Sequence, residues 1–216
     1  MGLMEKEIIK FIKQLASVER LTDVFNQYSY EVSDNEVRRD NLRLYFSQMS
    51  QLKPEVLLVG EAPGYHGCRL TGVPFTSEYI LIKNNSVFGK NQRYRKTTEV
   101  NGLKKEQTAT VIWETLNNHN FVPLMWNAFP FHPHENGNPT KNRTPSREEL
   151  EFGQVFLKQI IEMFGIEKVV AIGKKAKASL NRLNIDCSVI RHPANGGKPE
   201  FVQGIGEILS GCQHFI

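Results

Sequence analysis

Four groups capable of chemistry stand at the ends of short apolar runs. Glu61 follows Val56-Leu57-Leu58-Val59-Gly60, and Asn127 closes the run 121–127. Gly173-Lys174-Lys175 follows Val169-Val170-Ala171-Ile172, and His192 follows the run 188–191. A carboxylate, an amide, two ammonium groups and an imidazole between them exchange protons, pair with a planar polar edge and attract an anion. Each also has an ordinary reading: a solvated Glu, an Asn capping a turn, lysines at a helix start, a His bonded to a loop carbonyl. What unites them is position. If the apolar runs are neighbouring parallel strands, all four groups emerge at one rim, where α/β sheets collect their ligands.

The elements that must position them follow from periodicity. Val56–Val59 is four apolar residues in a row, as in a strand buried on both faces. Gly60, Pro63 and Gly64 then turn the chain into a tight loop, with Phe75 eleven residues past Gly64 in Gly72-Val73-Pro74-Phe75-Thr76. Ile8, Phe11, Ile12, Leu15 and Val18 share a face at helical spacing, predicting a helix over about 3–18. A second helix is expected over 35–49 with Asp34 as N-cap, and a third over 107–118. Further strands are expected at 121–127, 168–173 and 188–191, and further helices from Ser146 to Met163, over 174–183 and over 199–209. A long Pro-rich loop is expected over 129–145. Strands separated by helices imply a single domain, residues 1–216, built as a three-layer α/β/α sandwich around a central four-stranded parallel sheet.

Composition narrows the class. The 216 residues, 40% hydrophobic and 23% charged, suit one soluble domain. No apolar run approaches the roughly 20 residues that span a bilayer, and the first twenty residues lack the apolar centre of a signal peptide, so no membrane partner and a cytoplasmic monomer are expected. Three cysteines, Cys68, Cys187 and Cys212, without a short-spaced pair, argue against a disulfide framework or a four-cysteine metal site. Net charge is only +4, but residues 83–106 hold seven basic residues (Lys83, Lys90, Arg93, Arg95, Lys96, Lys104, Lys105) against Glu99 and Glu106. Phe88, Tyr94 and Asn84-Asn85-Ser86 lie within that stretch. A basic loop with aromatic residues suits a phosphate backbone, and a solvated loop is the alternative.

Gly60-Glu61-Ala62-Pro63-Gly64 with Gly72-Val73-Pro74-Phe75 resembles the first motif of the uracil-DNA glycosylase superfamily, closest to its family-four, thermophile-type branch. Asn127, with Asn142-Arg143-Thr144-Pro145-Ser146-Arg147-Glu148-Glu149, resembles that branch's middle motif. Val169–Ala176 resembles a late strand and helix start, and Arg191-His192-Pro193-Ala194 its final His-Pro motif. The resemblance runs from about residue 54 to 210 and leaves the first fifty residues uncovered. It implies removal of uracil from damaged DNA by hydrolysis of the N-glycosidic bond after base flipping. On that pattern Phe75 stacks on the base and Asn127 reads its edge, with Gly60, Ala62 and Tyr65 also around it. His192 stabilises charge on the leaving base, and Glu61 orients water or stabilises the sugar cation. Arg143, Lys174, Lys175 and Asn195 hold the DNA, with Arg93, Arg95 and Lys96 extending that surface.

Departures from the pattern carry their own expectations. The family-four branch has four cysteines on an iron–sulfur cluster, whereas three occur here at other positions, so no cluster, metal or cofactor is expected. The best-known branch has an Asp before the loop proline where this chain has Ala62, leaving Glu61 the nearby carboxylate. The His192 loop continues Asn195-Gly196-Gly197 without a large apolar wedge. Three alternatives stay open: a sister glycosylase for another damaged or mismatched base, a catalytically weak nucleic-acid-binding member, and a small-nucleotide hydrolase.

Overall fold

The run at 56–60 is the hub of the fold. A computed structural model describes residues 2–83, 87–88, 93–99 and 101–212; the expected Asn84-Asn85-Ser86 loop and Lys90 lie outside them. The elements, in order, are α1 (Leu3–Ala16), β1 (Val24–Phe25), α2 (Asn35–Leu52), β2 (Val56–Gly60), α3 (Cys68–Thr71), α4 (Glu78–Lys83), α5 (Gln107–Asn118), β3 (Leu124–Asn127), β4 (His132–Glu135), β5 (Asn138–Asn142), α6 (Arg147–Phe164), β6 (Lys168–Ile172), α7 (Gly173–Arg182), β7 (Ser188–Ile190) and α8 (Lys198–Cys212).

Strands β3-β2-β6-β7 form one parallel sheet in that order. β2 is buried along its whole length, as its unbroken apolar run requires when helices cover both faces. Phe11 of α1, Phe46 of α2 and Phe156 of α6 belong to one aromatic cluster in which Phe11 and Phe46 meet Trp126 of β3. α5 and α8 pack on each other as a second group. β3 is a sheet edge, and the Met125 N–H donates to the Tyr45 hydroxyl at 2.8 Å, so this edge donor is satisfied by a side chain.

Two expected elements change. The strand expected from 121 begins at Leu124, because Asn120 takes a left-handed turn (φ 50°) and the Phe121 N–H closes back on Leu116 O. The expected loop 129–145 contains the hairpin β4–β5, turned at Gly137 (φ 67°), which joins β1 in a second, antiparallel sheet. Asn136-Gly137 is a strong short-range hairpin signal, obscured by the prolines at 133 and 139. Ser146 caps α6 as expected, with a full Ser146–Glu149 capping box. Asp34 occupies the N-cap of α2 but makes no capping bond.

Candidate functional site

β2 and β3 run in register so that Gly60 lies beside Asn127. A Cβ on Gly60 would stand 2.5 Å from Phe75 Cζ and 2.7 Å from Asn127 Oδ1, so only glycine lets those two side chains meet over the strand end. Asn127 is 5% exposed, and its side-chain amide makes no hydrogen bond among the described residues. It lines the cleft, where a ligand can reach both its donor and its acceptor.

Phe75 is held rather than merely placed. Its backbone is left-handed (φ 52°), a conformation costing of order 1–3 kcal/mol for such a residue. The Trp113 indole donates to Phe75 O at 3.0 Å, and the Thr71 and Thr76 hydroxyls meet at 2.8 Å. Thr76 also donates to Val73 O at 2.7 Å, closing the turn before the ring.

His192 reaches the same place from the end of β7. Gly173 (φ 86°) admits it, since a Cβ there would stand 2.9 Å from His192 Cβ. The Ala194 N–H donates to Nδ1 at 3.1 Å, so Nδ1 is unprotonated and Nε2 carries the proton. Burial pushes the imidazole below its ordinary pKa, the Glu106 carboxylate pulls it up and Arg191 pushes it down. The ring is therefore a neutral donor at neutral pH. Glu61 is half-buried, and desolvation raises its pKa while Lys175 and Arg182 lower it.

These groups share a cleft of about 740 Å³, lined by Gly60, Glu61, Ala62, Phe75, Asn127, Arg143, Lys174, Lys175, His192 and Asn195. Phe75, Asn127 and His192 also border an adjoining recess of about 320 Å³ that Tyr65, His66, Thr76 and Glu106 complete. Lys174 and Lys175 are exposed on the first turn of α7, whose N-cap Ile172 offers no side-chain acceptor. Free amides and cations at a helix start favour an anion. Lys175 reaches across to Thr144 Oγ1 at 2.9 Å.

The residues expected to hold phosphates separate into two kinds. Arg143 lines the cleft but is fully engaged: a bidentate pair with Glu149 at 2.6 and 2.7 Å, and bonds to His134 O, Thr144 O and Asp23 O. All five N–H donors are used, which makes Arg143 a brace of the hairpin end rather than a phosphate hand. Arg93, Arg95 and Lys96 line neither chamber. Their stretch is anchored rather than loose: Asn41 clasps the Arg95 backbone, the Arg95 side chain pairs with Asp40, and Tyr94 is buried with its hydroxyl on Gln48.

Several residues that shape the site carry no clear signal in the sequence. Asn142 accepts the Tyr65 N–H at 3.0 Å and so holds the loop after Gly64. His132 stands between Pro63 O and Pro139 O, its ring nitrogens 2.9 and 3.1 Å away, where its N–H donates to one of them and ties the loop to the hairpin. Trp113 reads in sequence only as a core residue of α5. Glu106 reads as one of two acids in a basic stretch, and in the structure it caps α5 by accepting the Thr108 and Ala109 N–H. Cys68 is buried against Gln27 and Tyr28 at the start of α3, and Cys187 stands separately before β7.

Comparison with known proteins bears on the family and the fold. A family model described as the uracil DNA glycosylase superfamily matches residues 46–207. Among solved structures the chain is similar to wild-type SMUG2 of Pedobacter heparinus, with 16% identity over 99% of both chains and a TM-score of 0.72; that likeness bears on the fold. No curated protein sequence matches.

Proposed function

The chain belongs to the uracil DNA glycosylase superfamily, and from that premise we propose that it removes uracil from DNA by hydrolysing the N-glycosidic bond of a flipped-out nucleotide. The observation that carries this reading is the Phe75–Asn127 pair over Gly60: a flat apolar ring beside a buried amide whose donor and acceptor await a ligand. Extruding the base costs a few kcal/mol, and stacking on Phe75 offsets part of it. The Asn127 amide matches the neighbouring C=O and N–H of a uracil edge. As the C1′–N bond breaks, its electron pair moves onto the base. The neutral His192 Nε2–H donates to the base oxygen that gains the charge. Glu61, on the side of the cleft that also holds Lys175, faces the sugar, where its carboxylate stabilises the cationic carbon or orients the water that adds to it. Lys174, Lys175 and the α7 amides hold phosphates. The protein works as a cytoplasmic monomer on damaged DNA and draws on no metal or cofactor.

A second reading is a different damaged base, favoured by the recess beyond Phe75 and Asn127, which leaves room for a larger ring. Alkaline cleavage of labelled oligonucleotides containing uracil, hypoxanthine, xanthine or a G·T pair decides between them. Cleavage at uracil supports the first reading and cleavage at another base alone supports the second. Intact strands throughout would reject both.

A further inference from the structure

Tyr65 lies on the wall of the recess, in the loop that follows β2. Asn142 of β5 accepts its N–H at 3.0 Å, which fixes the backbone. The ring is fixed separately. The Arg69 guanidinium stands over it, with Cζ 4.5 Å from the ring centroid. The same carbon stands over the Phe25 ring at 4.7 Å, so Arg69 bridges two aromatic rings, one on the recess wall and one on β1. Its Nε–H is buried and makes no hydrogen bond among the described residues. A planar, permanently charged group gains instead from ring faces, and gains more where water is excluded. The bridge has backing from the N-terminal part of the chain. Phe25 pairs in the second sheet with His132, whose ring stands 2.9 Å from Pro63 O, at the base of the Tyr65 loop. Arg38 of α2 also stands over Phe25, at 5.7 Å, and donates to Leu70 O at 3.1 Å and Asn35 Oδ1 at 2.7 Å. Phe25 and Arg38 both precede residue 46, where the family match begins. This wall of the recess is thus backed by a segment that the family pattern does not cover.

We propose that Arg69 is a positioning residue that sets base selectivity through Tyr65: by holding the ring in the recess wall, it limits the size of base that fits beside Phe75 and Asn127. This rests on the base pocket of the proposed function. Arg69 itself lines neither chamber, so its influence on a bound base passes through the ring it holds. Without the guanidinium, the Tyr65 backbone stays on Asn142 while its ring is free to turn away from the recess. The room gained favours a two-ring base over uracil. Arg69 therefore governs which base is taken, and the groups that act on the glycosidic bond are left in place.

The test compares the full-length wild type with Arg69→Met, Tyr65→Ala and the double variant in single-turnover cleavage of oligonucleotides containing uracil or hypoxanthine. Methionine keeps an unbranched side chain at position 69 and removes the charge. The ratio of hypoxanthine to uracil rates should rise about 10-fold in Arg69→Met, the scale of one pocket contact. It should stay nearer the wild type in Arg69→Lys, which keeps a cation. In the Tyr65→Ala background the Arg69 change should add nothing to the ratio, as expected of two residues acting as one unit. An unchanged ratio in folded Arg69→Met overturns the proposal, as does an equal loss on both bases or the same rise with and without Tyr65. Should Arg69→Met not fold, Phe25→Leu removes only the backing ring and should raise the ratio by less; a ratio unmoved there overturns the proposal too. A second readout needs no activity. NMR resonances of the Tyr65 ring should move in Arg69→Met and hold in Arg69→Lys, and unmoved resonances contradict the proposed hold. If the wild type cleaves neither base, the proposed activity falls, and those resonances alone decide whether Arg69 holds Tyr65.

Discussion

The floor of the cleft and the basic stretch at 83–106 are opposite ways of building a functional surface. On the floor, Phe75, Asn127 and His192 carry no net charge at neutral pH, and each is fixed by backbone: a left-handed turn under the Trp113 indole, register beside Gly60, and the Ala194 amide on Nδ1. The basic stretch is rich in charge, yet Tyr94 and Arg95 within it are pinned to α2 through Asn41, Asp40 and Gln48, and Arg93, Arg95 and Lys96 line neither chamber. Arg143 repeats the lesson at the rim, where its charge is answered internally by Glu149. Chemistry follows from fixed geometry, whereas a count of cations overstates the charge available to a ligand.

The sharpest way to break this contrast is Asn127→Ala. Loss of the amide leaves the base edge unpaired in a buried site, so uracil excision should fall by several orders of magnitude, about 10⁴ at the scale of such discrimination. DNA affinity, measured by fluorescence anisotropy, should stay near wild type. Next in size is His192→Ala. Loss of a donor aimed at developing charge lowers the single-turnover rate by about 10²–10³, with little effect on ground-state binding. Glu61→Gln keeps shape and hydrogen bonding and removes charge. A rate loss as large as that of His192→Ala would assign Glu61 a catalytic share, and an unchanged rate would assign it none.

The strand ends that line the cleft were legible in the sequence because a parallel strand buried on both faces must be an unbroken apolar run. Val56–Val59 and Val169–Ile172 announce themselves, and with them Glu61 and Lys174. Asn127 was legible as well, although its strand is shorter than expected. Phe75 was identified from its motif, but nothing in the sequence announces that its backbone is left-handed or that an indole from α5 holds it there. Long-range partners of this kind, Trp113 on Phe75 O and Asn142 on Tyr65 N, join residues far apart in the chain. Such pairings depend on how the layers close, which periodicity does not encode. Arg143 shows the converse: in the sequence it reads as a free cation, and its bidentate pair with Glu149 depends on how the hairpin end meets α6.

The charged regions give the smaller effects. Replacing Lys174 and Lys175 by Ala should weaken binding to all DNA sequences alike and flatten the salt slope by about 0.9 for each phosphate no longer neutralised. Replacing Arg93, Arg95 and Lys96 together should change the slope less, because they stand outside the cleft. A larger change from that triple variant would extend the DNA path over α2 and reverse the contrast. Arg143→Ala should lower the melting temperature, since Glu149 and three carbonyls lose their donor, and leave the salt slope unchanged.

The measurement closest to the Gly60–Phe75–Asn127 pocket is single-turnover cleavage of one uracil-containing oligonucleotide by the wild type and by Asn127→Ala, at enzyme concentrations that saturate the DNA. Alkali-labile sites should form at the uracil with the wild type and be almost absent with the variant. Equal rates for the two proteins, or an intact strand with both, would contradict a base-reading role for Asn127.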